Sequence, residues 1–143
     1  MASPETKREK IEAFLAEPRN VMVAALRKDG RPQMTPNWFY WDGSRFYIST
    51  TRTRRKYANL RRDPRVQLAV DDPTSFKCVL IDGTAEIWED HRQGLPYFRA
   101  ITMKHRGQAP DDDAILSRLA QEQRVLLVIT PEKAIDHWTS WGL

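Results

Sequence analysis

The first fifty residues alternate strand-forming runs with Asp-Gly turns, a pattern that points to antiparallel sheet. Residues 21–26 (VMVAAL) are uninterrupted apolar sequence, Lys28-Asp29-Gly30 supplies hairpin-turn chemistry, and residues 33–41 read as a second strand. Asp42-Gly43 makes the next turn and residues 45–50 a third strand, so the three together predict an antiparallel meander. Ahead of them, Ile11, Phe14 and Leu15 recur at helical spacing, with Ser3 as N-cap and Pro4 at the first helical position. This predicts an amphipathic lid helix over residues 4–17. Residues 54–60 predict a short helix stopped by Asp63-Pro64, because proline disfavours helical geometry in the residue before it.

Further strands are predicted over 66–70, over 76–88 with a break near Asp82-Gly83, over 125–129, and over 134–141. Helices are predicted over 92–106 and 112–121, the second with Asp111 to Asp113 well placed at its N-terminus. Six or seven short strands with few helices predict a mainly β fold with flanking helices, a small closed or half-closed barrel. A length of 143 residues with 41% hydrophobic content suits one domain over residues 1–143, and no repeat or Gly/Ser linker divides it. No stretch approaches the roughly 20 apolar residues of a membrane helix, and the charged start lacks a signal core, so a cytoplasmic protein without a membrane span is expected. Cys78 is the sole cysteine, which excludes an intrachain disulfide and a CxxC pair. His91, His105 and His137 are scattered, form no HExxH motif, and give no metal site.

The net charge of +4 is unevenly spread. Residues 52–65 carry Arg52, Arg54, Arg55, Lys56, Arg61, Arg62 and Arg65 against Asp63 alone, a net +6 that leaves the remaining residues at −2. A basic island on a slightly acidic body reads as a local anion site. Arg54 and Lys56 stand where a strand hands over to a helix, so two cations and the open N–H groups of the first turn converge on a phosphate-sized volume. Asn59, one turn on, reaches the same phosphate or the backbone of the next loop. Thr35, Ser49, Thr50 and Thr51 set hydroxyls at strand ends beside large aromatics, either as ordinary small and β-branched strand filling or as the polar edge of a ligand site.

The succession Asp29-Gly30-Arg31-Pro32, Thr35-Pro36-Asn37-Trp38-Phe39, Ile48-Ser49-Thr50-Thr51 and the R-x-K-x-x-N-L-R-R-D-P-R-V stretch from Arg54 to Val66 resembles the flavin and deazaflavin oxidoreductases related to pyridoxamine 5'-phosphate oxidase. Gly83-Thr84-Ala85-Glu86 fits as well, and the resemblance covers roughly residues 10–142. Asn37 departs from it, since many members carry an apolar residue there. The resemblance implies an FMN-binding split β-barrel fold, and within it the branch that uses coenzyme F420. It implies that Gln33, Thr35 and Pro36 lie against the cofactor ring, that Ser49 and Thr50 hold its polar edge, and that the protein is a homodimer whose partner contributes the Phe76-Lys77 segment to the site. The implied reaction is hydride transfer from reduced F420 to a small activated acceptor of enone or quinone type.

Arg52, Arg55, Arg61 and Arg62 offer cations for the glutamate tail of F420, which FMN lacks; FMN remains the alternative cofactor. No residue is singled out as a catalytic acid: Tyr40, Tyr97, His137 and solvent are all open. Phe14, Tyr97, Phe98 and Met103 are candidates to shape the acceptor pocket, and the tail from Asp136 is a further candidate lining. A nucleic-acid binder is disfavoured because the tryptophans are not interleaved with the cations. A haem-binding barrel using one of the three histidines stays open.

Overall fold

The computed structural model describes residues 4–143 and consists of one eight-stranded antiparallel sheet with four helices. The strands are β1 (Val21–Leu26), β2 (Pro32–Asn37), β3 (Tyr40–Trp41), β4 (Phe46–Thr51), β5 (Arg65–Asp72), β6 (Lys77–Trp88), β7 (Arg124–Pro131) and β8 (Thr139–Trp141). The helices are α1 (Lys7–Ala16), α2 (Arg55–Arg62), α3 (His91–Arg106) and α4 (Asp112–Gln121). The sheet runs β2-β1-β5-β6-β7-β4-β3, with β8 paired to β6.

That order overturns the expected meander. The predicted second strand is divided at Trp38-Phe39: Asn37 pairs with Val21 at one extremity of the sheet, while Tyr40 pairs with Tyr47 at the other. The three steps from Asn37 to Tyr40 span at most about 11 Å, so the sheet has to curl until its ends meet. The result is a barrel closed by the chain itself, with an unpaired seam between β2 and β3. Phe39 is fully buried at this crossing, and its backbone N and O both lie 3.3 Å from His105 Nε2 of α3.

The interior is filled from β1, β4, β5, β6 and β7, and α1 adds Ile11, Phe14 and Leu15 to the same cluster. α1 is therefore a plug, not a lid. Lys7 donates to the carbonyls of Asp136 (3.2 Å) and Trp138 (2.9 Å), Trp41 Nε1 donates to Glu12 at 2.7 Å, and Lys104 donates to the Leu15 carbonyl at 2.7 Å. Thr6 is its N-cap, accepting from the Glu9 N–H at 3.1 Å, so Pro4 precedes the helix; Ser3 lies outside the described residues. The predicted lid residue Phe14 is core and faces only a small hollow beside α1, away from the large cleft beside α3 and α4.

β7 is buried on both faces. Leu127 and Ile129 enter the barrel, while Leu126 and Val128 join Tyr47, Phe98, Ile101, Ile115 and Leu119 in a second cluster beneath α3 and α4. This explains its unbroken apolar run, the pattern of a strand covered on two sides.

β6 is continuous, against the expected break at Asp82-Gly83. Gly83 instead permits close approach, facing Val66 of β5 and Pro131 of β7 at once. The predicted last strand is replaced by a 3-10 turn at Ile135–His137 followed by β8. Trp138, between them, is buried against Trp41 and Phe46 with its Nε1 donating to the Lys133 carbonyl, and this packing breaks the strand. Among the described residues no helix is long and apolar enough to cross a membrane.

Candidate functional site

α2 packs on β1 and β4 beside the barrel seam. Its N-terminus is electrostatically unusual. Helix N-termini carry partial positive charge and favour acidic residues, yet the first turn of α2 holds none and offers Arg54, Arg55 and Lys56. Arg54 is the N-cap and its side chain makes no capping bond. Neither Arg54 nor Arg55 forms an ion pair among the described residues, so the end of the helix presents open N–H groups and uncompensated cations together.

Lys56 turns inward. It is 4% exposed, one of three buried polar or charged residues among those described, the others being Thr50 and Asn59. Its Nζ donates to Thr35 Oγ1 at 3.0 Å and to Asn37 Oδ1 at 2.6 Å, two neutral oxygens, with no carboxylate in reach to neutralise it. Burial, with the nearby Arg54 charge, pulls its pKa down to about 8. An ammonium has three donors, and the third is left for a further acceptor. A buried cation kept without a counter-ion is costly, which suits a site that receives an anion.

Asn59 is a structural staple: its Nδ2 donates to Gln33 Oε1 at 2.8 Å and its Oδ1 accepts from Arg62 at 3.3 Å, tying α2 to β2. Gln33 is thereby engaged as well. Ser49 and Thr50, neighbours on β4, point to opposite faces because side chains alternate along a strand. Thr50 is buried on the barrel side, whereas Ser49 accepts from Arg124 at 3.2 Å on the α3–α4 side. Thr51 pairs its hydroxyl with Thr53 at 2.9 Å. Of the cations expected to extend the anion path, Arg52 pairs with Glu89 (3.3 Å), Arg61 bonds the Tyr57 hydroxyl that itself binds Glu89, and Arg62 turns back to the Leu26 carbonyl. Arg55 alone of that group stays unpaired among the described residues.

A cleft of about 770 Å³ opens beside this corner, bounded by Pro36, Asn37 and Trp38, by Ser49, and by α3 and α4. Asn37 belongs to both, holding Lys56 while lining the cleft. Phe98 lines it too. Tyr97 instead stacks on Tyr47 at 3.9 Å, Met103 is exposed outside it, and neither Tyr40 nor His137 borders it. Sequence reasoning missed Arg106, Arg118, Arg124 and Trp38, which line the cleft from distant stretches of chain.

Phe76 and Lys77 sit at the tip of the β5–β6 hairpin, at the far end of β5 from α2, roughly 25 Å along the strand. One chain does not bring them to the Lys56 corner. Phe76 is 85% exposed and held at φ +55°, a conformation uncommon for a non-glycine residue. The 136–143 tail packs on α1 and borders a separate hollow of about 350 Å³, away from the cleft. His91 Nε2 bonds the Arg124 carbonyl at 2.7 Å and His105 stacks on Trp38 at 4.8 Å. No cluster of three metal-ligating side chains occurs among the described residues.

A curled antiparallel sheet closed by its own chain, with flanking helices and a basic helix at the seam, is the split barrel of oxidoreductase-type proteins. The chain matches the pyridoxamine 5'-phosphate oxidase family over residues 8–138 and belongs to it. A conserved hypothetical protein from Mycobacterium tuberculosis is similar at 25% identity, covering 99% of this chain and 88% of the other with a TM-score of 0.80. An F420 reductase is similar at 27% identity, covering 92% of this chain and 97% of the other with a TM-score of 0.70. The haem storage protein HutZ from Vibrio cholerae shares the fold at 18% identity, covering 87% and 89% of the two chains with a TM-score of 0.69.

Proposed function

We propose that this protein is an oxidoreductase that uses coenzyme F420, passing a hydride from the reduced deazaflavin to a small enone- or quinone-like acceptor. The observation that carries the reading is Lys56, a buried ammonium without a counter-ion at the N-terminus of a helix whose charged residues are all basic, beside a cleft of about 770 Å³. The similarity to an F420 reductase over nearly the whole chain supports the choice of cofactor. FMN, which shares the phosphate, is the second reading.

Arg54 and the open N–H groups of α2 would hold the phosphate, with the third donor of Lys56 completing the shell and the unpaired Arg55 left for the glutamate tail. Thr35 holds Lys56 at this corner, Thr50 and Thr51 would border it from the end of β4 that leads into α2, and Pro36 and Ser49 would face the ring from β2 and β4. Bound there, the reduced cofactor supplies the hydride. The chain's own share is positioning and exclusion of water. Glu122, the one carboxylate lining the cleft, is paired with Arg118 and Arg124, which hold its pKa below the usual range. It stays ionised and is therefore not the donor of the proton that follows the hydride, a role that solvent can fill. The single free Cys78 fits a reducing cytoplasm.

The second wall of the site would come from Phe76 and Lys77 of the partner in a homodimer; the outward, left-handed Phe76 supports this. Light scattering should give about twice the 16.7 kDa chain mass, and a monomer that still binds cofactor would remove the composite site. Turnover is the test of the reaction. With oxygen excluded, reduced F420 should lose its hydride in the presence of the protein and at least one member of an enone and quinone panel. Oxidation no faster than without protein for every acceptor would refute the F420 reading.

A further inference from the structure

We propose that the cleft between β4, the Trp38 crossing and the α3–α4 pair receives an acceptor that carries a carboxylate on an apolar body, with Arg106 and Arg118 as the groups that take the carboxylate. The identification of this ligand as the hydride acceptor rests on the functional reading above; its binding does not.

The cleft's volume lies within the 300–1,000 Å³ usual for small-molecule sites. Its apolar wall comes from Phe98 and Ile101 of α3 and from Ile115 and Leu119 of α4, with Trp38 opposite. Three guanidinium groups line it, on Arg106, Arg118 and Arg124, against the single carboxylate of Glu122. Glu122 is shared between Arg118 (2.9 Å) and Arg124 (2.7 Å), so that trio keeps one positive charge. Arg106 has no carboxylate partner among the described residues and lies 5.3 Å over the Trp38 ring. Stacking against an indole holds a guanidinium in place without using up its hydrogen bonds.

Arg124 is further committed to Ser49, which leaves Arg106 and the shared Arg118 to receive a ligand. Both guanidinium groups are exposed at the edge of the cleft, and its net positive charge is matched by a carboxylate, which fits the guanidinium fork, and not by a neutral acceptor. Pro36 and Ser49 border the strand side of the cleft, next to the Lys56 corner. A molecule held by its carboxylate at the helices would direct its apolar end toward those strands.

The test uses 2-naphthoate and its uncharged counterpart 2-naphthamide, titrated calorimetrically into the cofactor-free protein and into Arg106→Gln, Arg118→Gln and the double variant. Wild type should bind naphthoate about tenfold or more tightly than the amide, the worth of a charge-assisted contact. The double variant should lose that preference while keeping its thermal midpoint and its affinity for the amide and for F420. Equal binding of the two probes by wild type, or a preference that survives in the double variant, would overturn the proposal. Loss of F420 affinity in the double variant would overturn it too, assigning the arginines to the cofactor's tail. Wild type that prefers naphthoate as expected but does not bind F420 would keep the carboxylate site and remove the functional reading.

Discussion

Lys56→Met should bind F420 about 10- to 150-fold more weakly than wild type, the equivalent of the roughly 1.5–3 kcal/mol of a hydrogen bond to a charged group. Methionine keeps a straight stem in the buried space that Lys56 fills. It also leaves the Thr35 hydroxyl bonded to Asn37 Oδ1, which it already reaches at 3.2 Å, so no buried polar atom is orphaned. Removing an uncompensated buried charge does not weaken the fold, and the thermal midpoint should hold or rise.

The same residue gives a pH signature. Wild-type affinity should be level below about pH 8 and fall above it, as the ammonium loses the proton that the anion requires. Lys56→Met should show no such fall. Folding does not produce it, because the folded pKa lies below the value of about 10.4 expected in the unfolded chain. Between those two values the unfolded state binds more protons, and stability rises with pH. Lys104, pulled down to about 7 by burial and by Arg19, acts in the same direction. Arg54→Ala should lose affinity to a similar extent, and Lys28→Ala, in the exposed turn before β2, should bind as wild type does. Retained affinity in both Lys56→Met and Arg54→Ala would reduce α2 to a solvated charged face.

Gly83→Ala should destabilise the protein by about 1–3 kcal/mol, the usual cost of forcing atoms into a packed interior. A Cβ at this position would stand 2.8 Å from Ile129 Cγ2 and 2.9 Å from the Thr130 carbonyl oxygen. The side chain could yield, but the carbonyl belongs to the ladder that joins β6 to β7. β7 in turn pairs with β4, whose end leads into α2. Thermal unfolding should show a midpoint lowered by roughly 3–10 °C. A midpoint within a degree of wild type would mean that the strands separate at no cost.

Where local pattern and tertiary demand coincide, the sequence reading and the structure agree. The apolar run of β7, the Asp111 cap of α4 and the stop of α2 at Asp63-Pro64 all follow from short-range chemistry. The meander failed because nothing local marks Trp38-Phe39 as a crossing. An aromatic pair inside a strand-like run carries no turn signal, and only closure of the barrel requires the chain to leave one edge and join the other. The site was legible in position and less so in detail. A cluster of cations announces an anion, but whether a given lysine faces water or the sheet depends on oxygens brought from β2, nineteen and twenty-one positions away in sequence. Asn37, noted as a departure from the family's pattern, is the acceptor that draws Lys56 inward. The opposite faces of Ser49 and Thr50 could have been read from strand alternation alone. Arg106, Arg118 and Arg124 could not have been grouped, since they meet only once α3 and α4 fold over β4 and β7.

Titration of F420 and FMN side by side into one preparation, at low salt and again at raised salt, separates a deazaflavin protein from a flavin protein directly. F420 should bind more tightly than FMN at low salt, and the gap should narrow as screening weakens the hold of Arg55 on the glutamate tail. FMN binding as tightly as F420, or more tightly, at low salt would contradict the assignment.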